Sequence, residues 1–310
     1  MQNLNQKIKL VVNPAAGSSK TAKKWPETEK KLTNIIGKIS IEFTKEASHA
    51  TLITRHAIQQ GYETIIAVGG DGTINEVVNG FFENAKQINP EASLGIIAMG
   101  TGGDLVRTLG IPKNVEDAAT KIKTHKIKKC DLGFMKCQSL NGKPVTRYFI
   151  NVADAGFGGT LTNLSYQSTK VFGTSATYLI ALLKTLFVHE TTPVEIKVDD
   201  SFSKEQVIRS VVIANGQYFG GGMRIAPKAR IDDGLFDIVI LGNLTPGEVL
   251  GNIHKLYNGT MVEHAKVQNL QGKKVNLNSE SEVLIETDGE LPGRLPASFE
   301  ILPSVLNVIC

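Results

Sequence analysis

Three glycine-rich loops constrain this chain more than any other feature of it. Each follows a short apolar, β-branched run and precedes a helical pattern. The first, Asn13-Pro14-Ala15-Ala16-Gly17, comes after Ile8–Val12. The second, Gly69-Gly70-Asp71-Gly72-Thr73, comes after residues 65–68, and the third, Gly100-Thr101-Gly102-Gly103-Asp104, after residues 96–99. A strand that ends in glycine and feeds a helix offers main-chain N–H groups beside a positive dipole end, which suits phosphate. Glycine admits the ligand without a Cβ clash, and Thr73 and Thr101 add hydroxyls. One such loop is equally a tight strand-to-helix turn. Three in succession converge on one edge of a sheet. None is a GxxxxGK[ST] loop, and the glycines are not spaced as GxGxxG. Asp71 stands out, because a carboxylate repels phosphate. It either holds a divalent cation or orients a catalytic network, or it caps the following helix.

Between these loops the hydrophobic period alternates. Ile8–Val12 and residues 39–43, 64–68 and 94–98 read as buried parallel strands. Ser48 is placed to cap a helix over 50–60 and Asn114 one over 115–123, while Ile74, Val77, Val78, Phe81 and Phe82 form one helical stripe. This half is expected to be a doubly wound α/β domain, residues 1–131. Beyond it the texture turns to strands, at residues 148–152, 194–198, 207–214, 236–241, 274–277 and 283–286. One helix interrupts them, opened by Thr245, Pro246 and Glu248 and continued by Val249, Ile253 and Leu256. A β-rich second domain over 132–296 is expected.

The 310 residues are 41% hydrophobic and 21% charged, enough for packed cores and against disorder. A net charge of +4 fits an anionic ligand or surface but is too small to argue for nucleic acid. The most apolar stretch, residues 178–188, is too short to span a bilayer and carries Lys184. Polar residues lead into Ile8 without a leader pattern. The three cysteines make no CxxC or even framework, so a cytoplasmic protein is expected. There is no GxSxG, and the six histidines show no ligand spacing. Lysines within residues 121–129, and Lys20, Lys23 and Lys24 beside Trp25, are either solvated surface or a contact for anionic membrane lipid.

The segment Gly69-Gly70-Asp71-Gly72-Thr73-Ile74-Asn75-Glu76-Val77-Val78-Asn79-Gly80 resembles the nucleotide-binding signature of the diacylglycerol kinase catalytic-domain family, in its soluble bacterial lipid kinase type. NPAAG and GTGGDL stand where that family carries NPxxG and GTxND. The run Gly221-Gly222-Met223-Arg224-Ile225-Ala226-Pro227-Lys228-Ala229, then Asp233-Gly234-Leu235-Phe236-Asp237, then Thr287-Asp288-Gly289-Glu290 complete five motifs in order. GGDGT alone is shared with NAD kinases and sphingosine kinases.

The resemblance implies an NAD kinase-like α/β domain, a β-sandwich-like second domain, and a C-terminal segment, 297–310, that returns to the first. It implies ATP bound by Asn13, Pro14, Ala15, Ala16, Gly17, Thr44, Gly70, Asp71, Gly72, Thr73, Ile74, Asn75, Glu76 and Thr101. It implies Mg2+ held by Asp233 and the carbonyls of Arg230 and Leu235, where the residues alone read equally as an Asp-Gly turn. It further implies that Glu290 accepts the proton of a lipid hydroxyl, with Asp288 acting beside Asp71 and Asp104. Without it, Thr-Asp-Gly-Glu reads as a hairpin turn. Gly103 departs from the family, which has Asn there. The function expected is γ-phosphoryl transfer from Mg-ATP to a lipid hydroxyl, at the inner membrane surface, by a protein that a homodimer would suit. A kinase of a soluble alcohol and a nucleotide-binding regulator without turnover are the alternatives.

Overall fold

The computed structural model describes residues 7–167 and 174–310. The chain divides into two compact units, Met1–Asp131 with Ser304–Cys310, and Leu132–Pro303.

In the first unit a parallel sheet runs in the order β6-β3-β1-β2, built from β1 (Ile8–Val12), β2 (Ser40–Phe43), β3 (Thr64–Gly69) and β6 (Ser93–Ala98), with β4 (Phe82–Glu83) and β5 (Lys86–Gln87) a small hairpin apart. Leu10, Val11, Val12, Ile65, Ile66, Ala67 and Val68 are fully buried, as strands covered on both faces must be. The helices are α1 (Lys20–Ile36), α2 (His49–Gln59), α3 (Asp71–Gly80), α4 (Asp104–Leu109) and α5 (Val115–Thr124). Asn114 caps α5 as expected, accepting the N–H groups of Glu116 and Asp117 at 2.9 and 3.2 Å. Ser48 does not cap α2. It sits in the left-handed region, and the Glu76 carboxylate takes the N–H groups of Ser48 and Ala50 instead. Trp25 is buried edge-on against Phe43, 5.5 Å between centroids, so it belongs to the core, while Lys20, Lys23 and Lys24 are exposed.

The second unit is strand-rich. β14 (Val267–Gly272), β13 (Phe236–Leu241), β12 (Ser210–Ala214), β9 (Val152–Gly156), β16 (Leu284–Thr287) and β17 (Glu290–Ile309) form one antiparallel ladder. A second runs through β11 (Phe202–Ile208), β10 (Thr192–Val198) and β15 (Lys274–Asn278) to β17, which also pairs β7 (Ile127–Gln138) of the β7–β8 hairpin, β8 being Pro144–Phe149. Val194, Ile196 and Val198 alternate inward on β10 and meet Val211, Ile213, Ile238 and Ile285 in one core, which makes the unit sandwich-like. Phe149 stacks on Phe236 at its centre, 5.7 Å apart.

Two expected strands are broken. The run 148–152 splits between β8 and β9, because the N–H groups of Ile150, Asn151 and Val152 turn to the Asp288 carboxylate. The run 207–214 splits at Arg209, whose buried guanidinium donates to the carbonyls of Leu244 and His189. The Thr245 capping box is present, but the helix it opens stops at Gly251 (α8, Pro246–Gly251). A second, α9 (Ile253–Asn258), follows Asn252. Helices α6 (Phe157–Gln167) and α7 (Thr174–Val188) fill the stretch between the expected strands 148–152 and 194–198, for which no element was expected.

Candidate functional site

The three glycine loops leave the same ends of the adjacent parallel strands β1, β3 and β6, and they are tied to one another. Asn13 Nδ2 donates to Thr73 Oγ1 at 2.9 Å, joining the first loop to the second, while Asn13 Oδ1 takes the Ala15 N–H. The Gly103 N–H donates to Asp71 Oδ2 at 2.9 Å, joining the third to the second. The backbones nearly touch, since a Cβ on Gly100 would lie 2.4 Å from Gly70 Cα, and one on Gly17 2.7 Å from the Met99 carbonyl oxygen. Glycine is obligatory there for closeness, not for mobility. Asp71 is therefore not a helix cap. It lies in the first turn of α3, braces the neighbouring loop, and leaves Oδ1 buried without a hydrogen-bond partner.

Gly103 has φ +71°, a left-handed conformation that glycine and asparagine both adopt readily. The replacement of the family's Asn thus keeps the backbone that delivers the amide to Asp71. Thr101 is exposed. Thr44 follows β2 at this sheet edge, its N–H on the Val12 carbonyl at 2.8 Å. Ile74 and Asn75 are buried, so their side chains serve the interior of the unit. Glu76 spends both carboxylate oxygens on the start of α2. Asp104 pairs with Arg107 at 2.7 Å.

The second unit carries the remaining expected residues. Asp288 and Gly289 both have positive φ, the backbone of a two-residue hairpin turn of the kind Asp-Gly favours, and Thr287 pairs with Glu290 across it. The turn is thus the hairpin that the residues alone suggest. The Asp288 carboxylate is buried and accepts three N–H groups, from Ile150 at 2.8 Å and from Asn151 and Val152 at 3.0 Å, so it is committed to the frame of its own unit. Glu290 accepts the Tyr166 hydroxyl on Oε2 at 2.9 Å. Beneath the hairpin, Glu286 accepts the Gly289 N–H and lies opposite Asp154 across β16 and β9. Burial pushes Glu286 well above the usual carboxylate range, helped by the charges of Asp154, Asp288 and Glu290. Asp233 turns on Gly234, φ +73°, and its Oδ1 takes the Leu235 N–H at 3.1 Å, while Arg230 pairs with Asp232. Among the described residues no cluster of three His, Cys, Asp or Glu side chains could hold a metal; one carboxylate with carbonyls is a different kind of set. Tyr166 escaped sequence reading because nothing marks it before α6 is known to be a helix, and Glu286 because it reads only as the end of the strand expected at 283–286.

Asp154 gives a pH test of this frame. Burial raises its carboxyl from 3.8 to about 6, against the opposing hydrogen bonds from Ser210 and Gly158. The folded protein keeps a proton that the unfolded chain loses, so stability from this group is present below pH 4 and is lost as pH rises to 6. The cost at neutral pH is about 3 kcal/mol. Denaturation curves of Asp154→Asn should lack this decline and lie above wild type at pH 7. A variant less stable than wild type at that pH would contradict it.

Comparisons with known proteins bear on family and fold. Residues 7–135 match the diacylglycerol kinase catalytic domain, and residues 151–310 match the YegS C-terminal NAD kinase beta sandwich-like domain. A diacylglycerol kinase of Staphylococcus carnosus is 32% identical over 310 residues, covering 98% of this chain and 95% of that protein. One of Staphylococcus aureus (strain MRSA252) is 31% identical, covering 98% and 92%. A crystal structure from Bacillus anthracis, 27% identical, aligns over 99% of this chain and 98% of that one with a TM-score of 0.77. Another from that organism, a diacylglycerol kinase 24% identical with the same coverage, has the same fold at a TM-score of 0.72. With an NAD kinase-like first unit and a β-sandwich-like second, and with relatives aligned from end to end, the chain belongs to the diacylglycerol kinase family.

Proposed function

We propose that this kinase transfers the γ-phosphate of Mg-ATP to the hydroxyl of diacylglycerol or a closely related lipid. The observation that carries the reading is the bracing of three strand-end loops by Asn13–Thr73 and Asp71–Gly103. Main-chain amides held that rigidly suit a triphosphate. Residues 13–17, Gly70, Gly72, Thr44 and Thr101 hold the nucleotide. Thr73 acts as a brace, and Ile74, Asn75 and Glu76 act through the helix they build. Asp233 and the carbonyls of Arg230 and Leu235 would supply hard oxygen donors of the kind Mg2+ takes. An ion held there would supply fixed positive charge.

Transfer through a loose transition state needs positioning more than strong nucleophile activation. Glu290 accepts the proton of the lipid hydroxyl, a contribution of about 10²–10⁴-fold. Asp288 acts on it through structure, by fixing the hairpin on which Glu290 stands.

A lipid is favoured over a soluble acceptor by α7. Ile180, Leu183 and Phe187, at helical spacing, and Val188 are exposed on it, and residues 157–188 contain no Asp or Glu. This face suits contact with the inner membrane surface, where the lipid hydroxyl would be met. No helix among the described residues is long and apolar enough to cross a membrane. The test is transfer of labelled γ-phosphate to diacylglycerol, monoacylglycerol, phosphatidylglycerol, sphingoid bases and NAD, each with purified folded protein. Labelling of a lipid supports the reading. Labelling of NAD alone, or ATP binding without any transfer, replaces it.

A further inference from the structure

Tyr166 belongs to a helix that the sequence conceals. Helix α6 packs against β16, the strand that leads into the Glu290 hairpin. The side chain is not placed there by core packing, since the residue is 60% exposed. What fixes it is polar: the phenol oxygen lies 2.9 Å from Glu290 Oε2 and 3.4 Å from the Gly289 carbonyl oxygen.

We propose that Tyr166 is a positioning residue for Glu290, its phenol donating to Oε2 and aiming the carboxylate at the acceptor hydroxyl. The proposal rests on Glu290 as the proton acceptor. A phenol has one proton, and here it has two acceptors, of which the carboxylate is nearer and charged. The proton stays on the phenol: the ring is exposed, but desolvation of its hydroxyl end against the hairpin, and then the charges of Glu290 and Glu286, push it well above its usual range, with Arg147 opposing weakly. Tyr166 is therefore a donor at every working pH. Donation to an ionised carboxylate stabilises the form that can accept a proton, and it removes the torsional freedom of a side chain at a hairpin end.

The experiment is Tyr166→Phe, which keeps the ring and removes the donor, assayed beside Glu290→Gln on mixed micelles of diacylglycerol. A hydrogen bond between exposed groups adds little to folding, so the variant should unfold at the wild-type temperature. The expected result is a kcat lowered about tenfold. KM for ATP should be unchanged, and the acid limb of the pH profile should move to higher pH by about one unit, because the carboxylate has lost a partner of its charged form. An inactive Glu290→Gln with wild-type kcat and limb in Tyr166→Phe would overturn the positioning role and leave Glu290 as base. A lowered kcat with the limb unmoved would make Tyr166 merely structural and overturn it too. An active Glu290→Gln would remove the base and the positioning role together.

Discussion

Asp71→Ala is expected to lower kcat by about a thousandfold or more while the protein stays folded. The substitution removes two things at once. One is the acceptor that fixes the Gly103 N–H, and with it the spacing between the second and third loops. The other is the buried Oδ1, an anionic oxygen with no partner of its own. Asp71→Asn separates them, because an amide oxygen can still accept from Gly103 but carries no charge. If charge is the catalytic property, Asn is as inactive as Ala. If bracing suffices, Asn recovers most of the rate. Initial rates of labelled phosphate transfer, with circular dichroism on the same samples, decide between them. A wild-type rate in Asp71→Ala would remove the nucleotide loop from the mechanism.

The second large effect concerns folding. Asp288→Ala leaves three N–H groups of a buried bend without their acceptor. Each such group costs about 1–3 kcal/mol, and partial relaxation of residues 150–152 reduces the sum to about 3–4 kcal/mol. Asp288→Asn keeps one acceptor oxygen and should lose about half as much. Urea denaturation measures both. Because Glu290 stands two residues on, kcat should fall in proportion to the disorder of the hairpin. An unchanged midpoint in Asp288→Ala would show that the bend has another support.

Where residues specify their own conformation, the sequence was readable. Ile8–Val12 and Phe236–Leu241 are bounded apolar runs, and their ends fall where expected. Asn114 and Thr245 act on amides two and three residues away, and both cap. The three glycine loops at the strand ends were legible for the same reason, since glycine spacing is local. What failed to show depends on partners far along the chain. The break at residues 150–151 is made by a carboxylate more than 130 positions later, and the start of α2 by Glu76 of a different helix. Helix α6 opens on Phe157 followed by Gly158 and Gly159, and the two glycines weaken any helical signal, although both lie tight against Asp154 and Leu284. Helix α7 has few polar residues to mark a face, so its apolar run gave no helical period to read.

The last seven residues have a consequence for biosynthesis. Ser304–Cys310 belong with the first unit. There Asn307 and Val308 extend the parallel sheet beside β6, the Asn307 amide reaches the Pro90 carbonyl, and Ser304 donates to Asp131. A ribosome has therefore made every earlier strand before the parallel sheet of the first unit can close its flank. Prematurely terminated translation products would carry intact glycine loops on a sheet with a raw border, prone to self-association rather than idle catalysis.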